Sequence, residues 1–239
     1  MTGVPSRRFW TQAGTAPAPG GHALLLDGKP VRSPARAPLV LPTRALAQAL
    51  AREWDAQGES ILPASMPLTR AANVAIDGVS GAHAAVAEMV AAYGQSDLLC
   101  YRADDPPGLV ARQQAAWDPL LAWAAEVLDA PLTVTSGVMH AAQPASSLAR
   151  LRACVAALDP FALTAMHDLV TLSGSLVLGL AVQAKHSAPD RAWTLSRIDE
   201  DWQAEKWGLD AEAADAASER RAAFQSAARL LTLLEEPDA

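Results

Sequence analysis

The sequence predicts an α+β fold in two parts. A small N-terminal α+β domain, a hairpin or short sheet with helices, is expected over residues 1–80, and a larger all-helical domain over residues 81–239. Three observations lead there. Asp27-Gly28 separates two short apolar runs in "HALLLDGKPVRSP", a hairpin signal. From about residue 82 the chain is dominated by alanine-rich segments whose apolar residues recur at helical spacing. Apolar residues make up 51% of the 239, enough for a core in each part.

The elements follow in order. "APLVLP" is a third strand candidate, closed by Pro42. Thr43 is placed to cap the helix "RALAQALAREWDAQ", in which Leu46, Leu50 and Trp54 recur every four residues. Trp54 therefore reads first as a packing residue. "LPASMPLTRAANVAIDG" gives a Pro-rich turn and then a helix expected to end near Asp77-Gly78. Helical patterns follow over 82–93, 106–128, 144–158, 160–184, 189–206 and 211–235, with extended chain expected only at "DLLCYR" and "LTVTSGV". Pro119 should kink or restart the fourth helix region, with Asp118 as the structural cap of its second half.

Composition excludes several functions. Residues 1–52 carry seven Arg/Lys and one acid, Asp27, but these charges are scattered and no aromatic-rich binding motif accompanies them, so nucleic acid is not expected as a partner. Cys100 and Cys154 form no CxxC pair, and none of the five histidines pairs at metal-ligand spacing, so neither a metal nor a cofactor is expected. The unpaired cysteines and the lack of a signal-peptide core in "MTGVPSRRFW" point to the cytoplasm. The most apolar stretch, Leu169–Val182, is shorter than the ~20 residues of a membrane span. It reads as a buried helix, so membrane insertion is not expected. P-loop, GxGxxG, GxSxG and HExxH patterns do not occur.

One segment combines what is otherwise scarce. "WTLSRIDEDWQAEKWG" sets Asp199, Glu200, Asp201 and Glu205 among Trp193, Trp202 and Trp207. On a single helix at about 100° per residue, Leu195, Ile198 and Trp202 share one sector, which makes Trp202 a buried anchor. Arg197 stands four residues before Asp201 and can pair with it. Trp193, Glu200 and Trp207 are spaced by sevens and form a second stripe. That stripe is either packing within the domain or a binding surface in which an acid among indoles selects a basic partner group. An enzyme using the four carboxylates for acid–base chemistry is the competing class, and it requires carboxyls with separated pKa values.

"LDGKPVRSPARAPLVLP", "ALAREWDAQGESILPASMPLTRAAN", "DLLCYRADDPPGLVARQQAAWDPLLAWA" and "SRIDEDWQAEKWG" together resemble the assembly chaperones of ATP synthase that bind the alpha subunit of the catalytic sector. The resemblance spans roughly residues 7 to 234, and blocks such as "EWDAQ", "MPLTR", "CYR" and "WDP" are specific in combination. It implies a two-domain chaperone without enzymatic activity, monomeric when free. Such a chaperone holds unassembled alpha subunit and shields its subunit interface until the beta subunit replaces it. Eukaryotic relatives act in the mitochondrial matrix. Within the acidic pair the resemblance matches Glu200 to a functional position; Glu200 with Trp193, Trp207 and Asp199 makes the candidate partner-binding set. The resemblance further matches Trp54 to a tryptophan on which the family relies.

Overall fold

A computed structural model of the protein describes residues 7–137, 139–208 and 210–235. The chain divides into two compact units. The first comprises Met1–Ala82, Asp159–Ala165 and Arg229–Ala239, the second His83–Leu158 and Met166–Ala228. The sequence expectation of contiguous domains, 1–80 and 81–239, assigns residues 159–165 and 229–235 to the helical domain. In the structure they cluster with the first unit instead.

The first unit is built on a small antiparallel sheet: β1 (Ala13–Ala18), β2 (Gly21–Leu26), β3 (Lys29–Pro30) and β4 (Val40–Leu41). β2 is central. It pairs along its whole length with β1 and, on its other edge, with β3 and β4. The expected turn joins β2 to β3, with Asp27 and Gly28 both at positive φ (46° and 77°), as a tight two-residue hairpin turn requires. β1 is a strand that alanine, glycine and proline did not announce. Gly21 is required where β2 begins, because a side chain there would collide with the Leu41 carbonyl.

Helix α1 (Arg44–Asp55) begins as read, with the Thr43 hydroxyl accepting from the Leu46 N–H at 3.2 Å. Leu46 and Leu50 are fully buried beside Leu24, Leu39 and Leu41 of the sheet region. Trp54, one turn on, is half-buried and packs edge-to-face on Trp10, with ring centroids 4.9 Å apart. Glu53 explains why "EWDAQ" and "MPLTR" belong together. Its carboxylate accepts the Leu68 and Thr69 N–H groups, both at 2.8 Å, and the Thr69 hydroxyl at 2.7 Å. These are the otherwise unpaired donors at the start of α2 (Pro67–Val74). Trp54→Ala is expected to cost about 3 kcal/mol, the low end for emptying a Trp site because the ring is partly exposed. Thermal unfolding measures it, and a variant that melts unchanged yet loses its partner would move Trp54 from core to interface.

The helix expected to end at Asp77-Gly78 does not. A π-helical turn (Ala75–Val79) carries it into α3 (Ser80–Ala91), and the backbone departs from helical angles only at Ala82 (φ −127°). Asp77 is held by the Ser33 hydroxyl and the Ala35 N–H, so its carboxylate serves the sheet loop rather than a turn. The run Pro67–Cys100 is long and apolar enough to cross a membrane by length and composition alone. Its apolarity comes largely from alanine, however, and it carries Arg70, Asp77, Glu88 and Asp97.

In the second unit, β5 (Tyr101–Arg102) and β6 (Thr135–Ser136) form a short parallel pair from the two segments read as extended. The helices are α4 (Pro107–Val127), α5 (Ala145–Ala156), most of α6 (Pro160–Ser173), α7 (Leu176–Gln183), α8 (Pro189–Ser196), α9 (Ile198–Trp207) and most of α10 (Ala211–Glu235). The apolar stretch 169–182 is buried as expected but is two helices, divided at Gly174 (φ 74°), with Ser175 capping α7. Pro119 does not divide α4. Leu109, Gln113 and Trp117 before it and Leu120, Leu121 and Trp123 after it are buried, and this packing outweighs the one backbone bond that proline removes. Asp118 is consequently not a cap: it pairs with the buried Arg102 at 2.8 Å.

Candidate functional site

The acidic, tryptophan-rich segment is not one helix. At Arg197 the backbone leaves helical geometry (φ −112°, ψ 12°), ending α8 and starting α9 in a new direction. The helical wheel drawn through 193–207 therefore fails across this joint, and each residue must be placed separately.

Trp193 lies on α8 and is 6% exposed, packed against Phe224 of α10 with ring centroids 5.6 Å apart. It is a core residue rather than part of an open stripe. Trp202, expected as the buried anchor, is half-buried on α9. It lies over Gly108 of α4, where a Cβ would come within 2.8 Å of its ring edge, and two cations, Arg112 and Lys206, each lie 4.9 Å from its ring centroid. Ile198 alone of α9 is fully buried.

The four carboxylates disperse to different tasks. Asp199 accepts from the Gln113 side-chain amide at 2.6 Å, while the oxygen of the same amide takes the Ala103 N–H at 2.8 Å. Glu205 takes the Arg112 guanidinium through two bonds of 2.8 Å, and this bond holds its carboxyl below the usual range. Together with the Trp117 indole N–H donating to the Leu195 carbonyl at 2.8 Å, these contacts clamp the α8–α9 joint onto α4. Glu200 pairs with Arg197 at 2.6 Å, in place of the Arg197–Asp201 pair read from spacing, and the Arg197 guanidinium in turn sits 5.8 Å over the Trp193 ring. Asp201 is exposed on α9. Acid–base chemistry needs two carboxyls converging on one place with one pKa raised. Here two of the four face α4, and Glu205 is displaced in the wrong direction.

What the fold does assemble is a groove. α8, α9 and the N-terminal half of α10 enclose about 530 Å³ of space, lined by the buried Trp193 as well as by Glu200 and Trp207. Trp207 stands at its rim, 80% exposed. Ala204 of α9 and Ala213, Ala214 and Ala217 of α10 also line it. An indole so exposed beside small apolar side chains is costly in water and favourable when a partner covers it. Asp199, bound to α4, does not line the groove.

Sequence reasoning missed Gly108, Arg112 and Gln113, which hold α9 in place, and the alanines of α10. The first three lie in a block whose only visible signal was resemblance. The alanines look like any helix former, and only the neighbouring α9 makes three of them a surface.

The profile of the ATP12 chaperone protein family matches residues 7–125. Among solved structures, Atp12 of Paracoccus denitrificans is 52% identical, with a TM-score of 0.93, covering 96% of this chain and 98% of that one. A mutant form of the same protein matches equally well. A chaperone candidate from Agrobacterium tumefaciens is 44% identical at a TM-score of 0.92, covering 96% of this chain and 86% of that one. Identity at this level over nearly the whole length places the fold and the clamped α9 segment in a known lineage of chaperones rather than enzymes: the chain belongs to the ATP12 chaperone family.

Proposed function

We propose that this protein is a cytoplasmic holding chaperone for the catalytic sector of ATP synthase, binding unassembled alpha subunit and covering the surface that the beta subunit later occupies. The observation that carries the reading is the groove of α8, α9 and α10, with Trp207 exposed at its rim and Glu200 in its wall. Free subunits of an obligate oligomer expose apolar surface that aggregates, and a reversible cover of matching character prevents this. Release then comes from competition by the true neighbour. The chain acts as a monomer, one copy to one alpha subunit.

Glu200→Lys tests the site. In the free protein it breaks one exposed ion pair, worth about 0.2–1 kcal/mol, so the melting temperature should hardly move. In the complex it places a second cation beside Arg197, at a surface meant to be covered, and a mismatched charge at a buried contact costs about 2–5 kcal/mol. The expected result is loss of protection of alpha subunit from aggregation, with the fold intact. Protection equal to wild type would remove Glu200 from the site. Glu205 is no neutral control, because it holds Arg112. Glu219 of α10, exposed and outside the groove lining, serves instead.

A further inference from the structure

The groove's chemistry narrows what it accepts, and this inference rests on the reading just given. Its two cations are already engaged: Arg197 by Glu200 at 2.6 Å, and Arg221 by Asp190 at 2.7 Å. Asp210, the third acid in its wall, accepts the Glu212 N–H at the start of α10. Asp201 is different. It lines the groove, is exposed, and its carboxylate joins no hydrogen bond or ion pair among the described residues; Arg112, already held by Glu205 through two bonds, attracts it only from a distance. Beyond the groove, the second unit as a whole holds seventeen acidic and ten basic residues, whereas the first is balanced, so the entire formal charge of −7 surrounds this site. Such a field attracts a basic segment from a distance, and the unpaired carboxylate gives it a point of attachment.

The walls also limit the shape of the occupant. All three are α-helices whose backbone groups bond internally, so no free strand edge is offered to an extended peptide. Binding must come from side-chain packing. The floor of Ala204, Ala213, Ala214 and Ala217 lets another helix approach closely, and Trp207 at the rim can close over its apolar side. We propose that the groove takes a helix of the alpha subunit that carries a lysine or arginine among small apolar side chains, with Asp201 as the carboxylate that recognises the cation. Glu200 then has a different part: it neutralises Arg197, which would otherwise repel the incoming charge.

The experiment uses the full chain and intact alpha subunit. Trp207 is replaced by the photoreactive benzoylphenylalanine, the complex is irradiated, and the cross-linked alpha-subunit segment is mapped. In parallel, Asp201→Lys and Asp201→Asn are compared with wild type in affinity and in melting temperature. The mapped segment should be helical and contain a lysine or arginine. Asp201→Lys should weaken binding by about tenfold or more without lowering the melting temperature, and Asp201→Asn by less. Exchanging the mapped cation for glutamate should restore binding to Asp201→Lys. Capture with an unmoved affinity in Asp201→Lys overturns the proposal, as does a cross-link to an extended segment, to one without a cation, or to none. Failure of wild type to bind alpha subunit at all is a separate outcome and rejects the function itself.

Discussion

Asp97→Ala is expected to lose about 3–5 kcal/mol of folding stability, the largest effect of any single polar change in the second unit. Asp97 is wholly buried. One carboxyl oxygen accepts the Leu99 N–H at 3.0 Å, at the short helical turn Leu98–Cys100, and the other accepts the Val177 N–H at 2.9 Å, in the first turn of α7. A single side chain thus supplies acceptors to donors 78 residues apart in sequence, and the adjacent Leu98 N–H to Gly174 carbonyl bond of 3.1 Å closes the same joint. Alanine leaves both N–H groups unpaired in a buried region, where each costs about 1–3 kcal/mol. Asp97→Asn keeps one acceptor and turns an amide N–H toward the other donor, so it should lose roughly half as much. Burial, the dominant influence, raises the Asp97 pKa above its ordinary 3.8. The folded state therefore holds the proton more tightly than the unfolded one. Asp97 contributes most below 3.8, and its contribution falls as pH rises toward the folded-state value. Denaturant titrations of wild type and Asp97→Ala should show a stability gap that narrows as the pH rises above about 4. A gap that widens would mean that the hydrogen bonds to the ionised form outweigh its burial.

Asp97 also marks where reading a sequence stops. "DLLCYR" shows an extended segment and nothing of a carboxylate reaching across to α7. The elements that were legible are those whose signals are local: the Asp27-Gly28 turn, the Thr43 cap, the Leu46–Leu50 stripe and the long alanine-rich helices. The failures are places where packing overrode a local signal. Pro119 ought to break α4, yet buried side chains on both sides keep the helix whole. Asp77-Gly78 looks like a turn, yet Ser33 and Ala35 draw Asp77 to the sheet loop and the helix runs through. The reverse happened at Arg197, where nothing in "TLSRIDE" announces a break. That one joint rotates Trp193 into the core and leaves Trp207 in water. The candidate site was legible as a stretch of residues, and Trp193, Glu200 and Trp207 do line one groove, but by the meeting of three helices and not by a spacing of sevens.

Trp202→Ala is expected to lose about 3 kcal/mol and, unlike Trp54→Ala, to abolish capture of alpha subunit. Trp202 is the apolar part of the clamp that seats α9, and the polar parts depend on it. Arg112 lies over its ring while holding Glu205, and Lys206 lies against the same ring. Without the ring, Arg112 loses its platform, and the bidentate pair, exposed at both partners, is worth only about 0.2–1 kcal/mol alone. α9 carries Asp201, Ala204 and Trp207, so a loosened α9 dissolves the groove while the buried helices remain folded. Circular dichroism should therefore stay strongly helical as capture disappears. Gly108→Ala asks the same question from the other side of the contact. In an isolated helix this change would stabilise by roughly 0.5–1 kcal/mol. Here the added methyl meets the Trp202 ring at 2.8 Å, and the ring, in contact with two cations, has little freedom to retreat. The expected result is a melting temperature no higher than wild type, an altered tryptophan fluorescence, and weakened capture. If Gly108→Ala instead melts higher and captures alpha subunit as well as wild type, Trp202 has room to move, α9 is held by its ion pairs alone, and the clamp is not what shapes the groove.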